Sequence, residues 1–184
     1  FGYSNVGVGL LGQALANRAH TTYEALLKKE VTGPLGMRDT AIKLTPALTK
    51  RFLTGHGANH EPVHAWDLTA LAGAGAIRST AADMLVYLQA QLHPDALAKR
   101  GTPEARTLPA AITASHAIHG EAGPGMHIAL NWFHIDATGA YWHNGGTGGF
   151  SSYAELDPDQ DFAVLVLVNR SPEGSMIADD IGRP

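Results

Sequence analysis

The spacing of apolar positions divides this chain into a helical first part and a strand-rich last part. From Val6 to Asn17 the apolar positions Leu10, Leu11, Ala14 and Leu15 recur at helical intervals, while Gly7, Gly9 and Gly12 leave one side of that helix bare. A bare side invites close packing. Thr21 with Glu24 three residues on is a capping-box pattern, which predicts a second helix through Leu26 and Leu27 toward Lys29, broken by Gly33-Pro34-Leu35-Gly36. Residues 39–77 read mostly as loop, with one short helix opened by Thr45-Pro46 and a glycine-rich end at Gly73-Ala74-Gly75. Ser79 or Thr80 caps the next helix, Asp83 suits its N-terminal end, and Met84, Leu85, Leu88 and Leu92 form its apolar stripe. Thr102-Pro103 opens another helix, which Pro109 should stop or kink.

Beyond Gly123-Pro124-Gly125 the period shortens to two. Met126 to Ile135 alternates, with Ile128, Leu130 and Trp132 on one face, and is expected to be one half-buried strand. Ala140 to His143 is a second, shorter strand. Phe150 to Leu156, the turn Asp157-Pro158-Asp159-Gln160-Asp161 and Phe162 to Val168 read as strand, turn, strand, the last run apolar enough to be covered on both faces. The segment from Ile177 to Pro184 reads as the opening turns of a helix. Residues 1–125 are thus a helical region and 126–184 an antiparallel meander with the start of a C-terminal helix, both parts of one domain of the α+β class.

Composition narrows the partners. The chain has 184 residues, 45% hydrophobic and 16% charged, the make-up of one globular domain. Lysine and arginine number 13 against 17 acids, with no basic run to track phosphates, so nucleic acid is not an expected partner. The absence of cysteine excludes thiol catalysis, thiolate metal sites and disulfides, and is compatible with the cytoplasm or with export. No apolar run approaches the ~20 residues of a membrane span. The start, Phe1-Gly2-Tyr3-Ser4-Asn5, lacks the basic and apolar regions of a signal peptide and reads as mid-domain sequence. His56, His60 and His64, with Glu61 and Asp67 nearby, invite a metal reading, but their Gly-rich, Pro-broken context argues against the helix that would align them. Neither metal nor cofactor is expected. His127 and His134 read as surface or satisfied histidines, and Trp66, Trp132 and Trp142 as core or cleft-wall aromatics.

Two short motifs carry chemistry. Tyr3-Ser4-Asn5, leading into Val6-Gly7-Val8-Gly9-Leu10-Leu11-Gly12, resembles the Tyr-x-Asn motif of class C β-lactamases, D-alanyl-D-alanine carboxypeptidases and related esterases. His143-Asn144-Gly145, followed by Gly146-Thr147-Gly148-Gly149-Phe150, resembles the Lys-Thr-Gly strand of the same superfamily, which in some branches is His-x-Gly. Pro34-Leu35-Gly36-Met37 with Asp39-Thr40, and Gly73-Ala74-Gly75 with Ser79-Thr80-Ala81-Ala82-Asp83, resemble stretches that accompany those motifs. The resemblance implies a β-lactamase or transpeptidase-like fold, an antiparallel sheet covered by helices, here incomplete, with N-terminal strands and the nucleophile helix lying outside the chain. An apolar face left open by their absence would invite the absent N-terminal segment or self-association.

The same resemblance implies acyl transfer at a serine. Tyr3 would belong to the proton-transfer machinery, Asn5 would orient substrate amides and a catalytic lysine, and His143 would stand in for the strand lysine. Asn144, Gly145 and Gly146 would line the substrate side, Gly146 giving a backbone N–H to the oxyanion. No serine is followed by lysine three residues later: Ser4, Ser79, Ser115, Ser151, Ser152, Ser171 and Ser175 all lack it. The chain alone is therefore expected not to form an acyl-enzyme. Histidine at 143 weakens attraction for a β-lactam or peptide carboxylate, which favours an esterase or peptidase. The implied partners are a small molecule, namely a β-lactam, a D-amino-acid peptide or an ester, and the implied compartment is periplasmic or extracellular. A non-catalytic module binding peptidoglycan peptides or penicillin is the alternative, and a metal-dependent protein using the histidine cluster is a third reading.

Overall fold

The computed structural model describes residues 1–97, 103–171 and 177–183. Ser4 is extended and its hydroxyl accepts from the Gly7 N–H at 3.0 Å, which starts α1 (Asn5–Arg18). This helix packs by its bare side. A Cβ on Gly9 would stand 2.7 Å from Leu71 Cδ2, and one on Gly12 3.1 Å from Gly73 Cα, so the glycines let the helix lie on the 3-10 turn Thr69–Ala74. The leucines face away: Leu10 is 66% and Leu11 52% exposed.

The second helix, α2 (Tyr23–Leu27), starts one residue later than the capping pattern implied. Thr22, not Thr21, accepts from Ala25 N at 3.2 Å, because Glu24 is occupied elsewhere: its carboxylate receives the N–H groups of Ile42 and Lys43 at 2.9 and 2.8 Å. The chain continues through a π-helical turn (Lys28–Thr32) into α3 (Gly33–Leu35), so Gly33-Pro34 does not break it. Proline is tolerated in a first helical turn, and the reversal falls on Gly36, left-handed at φ +77°. A short α4 (Pro46–Thr49), capped by Thr45, precedes a small hairpin of β1 (Gly55–His56) and β2 (Pro62–Val63).

Thr80 caps α5 (Ala81–Leu92), and Asp83 Oδ2 receives Asp39 N at 2.8 Å and Thr40 Oγ1 at 2.7 Å, tying the helix start to the preceding loop. Its stripe differs from the expected one. Leu88 is buried between helices and sheet, whereas Leu85 is 53% exposed, and Tyr87 fills the second buried side, where desolvation pushes its phenol up to about 12. After α6 (Pro94–Leu97), helix α7 (Pro103–Ser115) passes through Pro109 without stopping. Thr102 of the expected helix opening lies outside the described residues.

The remaining strands form one antiparallel sheet in sequence order: β3 (Gly120–Gly123), β4 (Met126–Ile128), β5 (Phe133–Ile135), β6 (Tyr141–Thr147), β7 (Phe150–Asp157) and β8 (Phe162–Val168). The single strand expected over 126–135 is instead a hairpin. The chain reverses with Asn131 at φ +63°, so Met126, His127 and Ile128 pair with Ile135, His134 and Phe133. Period-two alternation persists through such a reversal, which is why the sequence pattern concealed it. β8 ends the sheet order and is not covered on both faces, since Phe162 and Leu167 are 53% and 44% exposed.

Among the described residues the core has three parts. Leu35, Met37, Ala90, Leu97 and Ile112 pack among the helices, and Leu88, Ala129, Trp132 and Leu156 join α5 to the sheet. Ile42, Ala72 and Ala76 seal the loop region under Tyr23 and Leu27. On the sheet's other side α8 (Ile177–Gly182) lies on Tyr153, close enough that a Cβ on Gly182 would overlap its ring, and Tyr153 donates to buried Glu155.

Candidate active site

Strand β6 is held at its far end by packing that requires glycine. At Gly149 φ is +80° and a Cβ would fall 2.6 Å from Gly55 Cα, while a Cβ on Gly148 would fall 2.5 Å from Trp66 Cδ1. The β1–β2 hairpin therefore sits directly on the β6–β7 turn, and Gly149 N donates to Ser171 Oγ at 2.7 Å. Along the strand, β7 pairs with every residue from Tyr141 to Thr147, but β5 pairs only with Tyr141 and Trp142. Past Trp142 one edge of β6, from His143 to Thr147, has no strand beside it among the described residues. Backbone N–H and C=O groups on such an edge are available to a ligand.

Tyr3 stands beside that edge. Its ring centroid is 6.1 Å from that of His143, inclined by 36°, and both rings pack on Phe133, at 6.4 and 5.8 Å. Tyr3 is positioned by the capped start of α1, two residues before Asn5, which is exposed at the first helical position. His143 Nδ1 lies 2.5 Å from the carbonyl oxygen of Asn144, and since a carbonyl only accepts, that nitrogen carries the hydrogen. Burial pulls the imidazole below its ordinary 6.5, with the carbonyl bond opposing in part, so the ring is neutral at pH 7 with Nε2 left as the acceptor.

Asn144 faces elsewhere. Its Nδ2 donates at 2.8 Å to Asp179 Oδ2 on α8, and Asp179 also receives Arg183 at 3.2 Å. Successive strand residues point to opposite faces, so this amide lies across the sheet from the imidazole. Gly145 is pressed against β7, where a Cβ would meet Ser152 Oγ at 2.8 Å, and Gly146 pairs with Ser151. The structure thus brings Tyr3, His143 and the open edge of β6 together and holds the Asn144 side chain under α8.

Phe133 was not legible as part of this site. Its place came from the unrecognised reversal at Asn131, which sets it opposite Trp142 and beneath Tyr3. The three spaced histidines do not converge: His56 is fixed in β1 beside Asn169, and the grouping of metal-type ligands among the described residues is His127, His134 and Asp136.

Comparison with known proteins bears on the fold and the family. D-alanyl-D-alanine-carboxypeptidase/endopeptidase AmpH of Escherichia coli K12 is 30% identical over 178 residues, covering 92% of this chain and 45% of that protein. Penicillin-binding protein 4 of Amycolatopsis lactamdurans is 26% identical, with 96% of this chain and 49% of that protein covered. A class C beta-lactamase structure superposes with a TM-score of 0.80 at 22% identity, covering 92% of this chain and 52% of that one. A class C beta-lactamase in complex with cefoxitin gives 0.78 at 22% identity over 96% of this chain and 56% of that one. The chain spans about half the length of these relatives. The Beta-lactamase family model matches residues 1–183, and on that match this chain belongs to the beta-lactamase family.

Proposed function

We propose that this chain supplies the tyrosine and strand side of a serine-hydrolase cleft that cleaves a D-amino-acid peptide or a short ester through an acyl-enzyme. The observation that carries the reading is the approach of the Tyr3 and His143 rings to 6.1 Å beside an unpaired strand edge. In this reading a serine oxygen attacks the substrate carbonyl, its proton passes through Tyr3 to the leaving amine or alcohol, and the Gly146 N–H holds the oxyanion. Asn5 orients the substrate amide, Gly145 lets it approach β6, and Asn144 meets it through backbone while its side chain anchors the strand to α8.

His143 directs the substrate class. A neutral imidazole offers no permanent charge to a β-lactam carboxylate, so uncharged esters and weakly held peptides suit this cleft better. The serine and its lysine must come from outside these 184 residues, because no Ser-x-x-Lys occurs within them.

Two measurements test the reading. Incubated with a fluorescent penicillin, the 184-residue chain keeps its intact mass; a stoichiometric adduct would refute the division of the site. Joined to an N-terminal segment that carries Ser-x-x-Lys, the protein hydrolyses a p-nitrophenyl ester, and Tyr3→Phe lowers that rate by roughly a hundredfold or more, as expected for loss of a positioned proton carrier. Unchanged turnover in Tyr3→Phe would remove Tyr3 from the chemistry. Saturable peptide binding with no turnover in the joined protein would replace catalysis by simple recognition.

A further inference from the structure

The β4–β5 hairpin carries a second convergence of side chains, separate from the Tyr3–His143 cleft. Because the chain reverses at Asn131, His127 and His134 stand directly opposite one another on paired strands and share a face of the sheet. Asp136 follows in the turn directly after β5, and its carboxylate reaches both imidazoles. His127 Nδ1 is 2.8 Å from Asp136 Oδ1, and His134 Nδ1 is 3.5 Å from the same oxygen. One ligand atom from each residue lies within 4.8 Å of the other two.

The hydrogen bond between His127 and Asp136 accounts for only two of these groups. The Nδ1 of His134 is buried and makes no hydrogen bond, close to the carboxylate but not aligned with it. A buried polar atom left without a partner carries an uncompensated desolvation cost. A cation placed among the three atoms removes that cost. Exposure rises from 21% at the His134 side chain through 31% at His127 to 47% at Asp136, so an ion has a path from solvent on the carboxylate side.

We propose that His127, His134 and Asp136 bind one divalent first-row transition ion of the zinc type, with water completing its coordination. Two imidazoles and a carboxylate suit such an ion, whereas magnesium and calcium take oxygen ligands. Ligands at about 2.1 Å around a tetrahedral zinc stand about 3.4 Å apart, so side-chain rotation must open the 2.8 Å His127–Asp136 spacing, keep the 3.5 Å His134–Asp136 spacing and leave no pair beyond its present 4.8 Å limit. The ion bridges two strands of three residues each, too short to hold register strongly by themselves. It also steadies Phe133, the ring on which Tyr3 and His143 rest.

The test is a titration of the EDTA-treated 184-residue chain with ZnCl2 by calorimetry, alongside the visible spectrum after addition of CoCl2. One zinc binds per chain, the unfolding temperature rises, and cobalt gives the intense bands of a low-coordinate site. His127→Ala and Asp136→Asn, both at partly exposed positions, each weaken zinc binding by about tenfold or more, the loss that even outer-shell changes produce. The control His60→Ala/His64→Ala binds as before. Affinity unchanged in the His127 and Asp136 variants would overturn the site. So would a cobalt spectrum in the unaltered chain that stays that of the aqueous ion, a result independent of whether any variant folds.

Discussion

Two leucines on α5 provide a direct test of how the core is built. Leu88 is 1% exposed and packs against Ala129, Trp132 and Leu156, while Leu85, three residues earlier on the same helix, is 53% exposed. Truncating Leu88 to alanine removes roughly three carbon groups at ~0.8 kcal/mol each, or about 2.4 kcal/mol of transfer free energy. The site cannot collapse freely, because helix and sheet are both fixed around it, so a cavity term brings the loss to about 3–4 kcal/mol. The same truncation at Leu85 loses about half the transfer term, leaves no dry cavity, and gains slightly in helix propensity, for a net loss of about 1 kcal/mol or less. Urea unfolding followed by tryptophan fluorescence and by circular dichroism measures both. The expected result is a large drop in midpoint for Leu88→Ala and a small one for Leu85→Ala at equal slope. Equal losses, or a larger loss at Leu85, would show that α5 is rotated from the orientation described.

The other predictions follow the same contacts. Gly149→Ala forces a Cβ to 2.6 Å from Gly55 Cα at φ +80° and is expected to cost about 3 kcal/mol or more, seen as a lowered Tm and loss of the β1–β2 contact in NMR spectra. Asn144→Ala removes the 2.8 Å bond to Asp179, whose Oδ1 is already buried without a partner, and is expected to cost about 1–3 kcal/mol and to raise amide exchange in α8. Burial lowers the imidazoles of both His143 and His116 below 6.5. The unfolded chain therefore binds more protons than the folded one just below pH 6.5, and stability must fall as pH drops from 6.5 toward the folded values. Unfolding midpoints at pH 8 and pH 5.5 check this, and His143→Gln should flatten the difference.

Much of the architecture was legible because it is local. Ser4, Thr45 and Thr80 cap helices where short polar residues precede apolar periods, and the β7–β8 hairpin follows directly from its Asp-Pro-Asp turn. The Tyr-x-Asn and His-x-Gly motifs were likewise readable as strings, and the expectation of an antiparallel sheet covered by helices matched the fold. Other features depended on partners distant in sequence. Glu24 gave up its capping role to the loop at Ile42 and Lys43, and Leu85 was left outside although its spacing matched that of Leu88.

The sequence by itself determined where the capped helices and the β7–β8 hairpin form, since capping, turn chemistry and apolar period act over a few neighbouring residues. Only the tertiary structure decided which face of each element is covered, because burial depends on what stands opposite. Glycines rather than leucines bury α1, and the reversal at Asn131 sets His127 against His134 and brings Phe133 beneath Tyr3 and His143. Such convergences arise from chain reversals and sheet register, and a one-dimensional pattern of apolar and polar residues is the same with or without them.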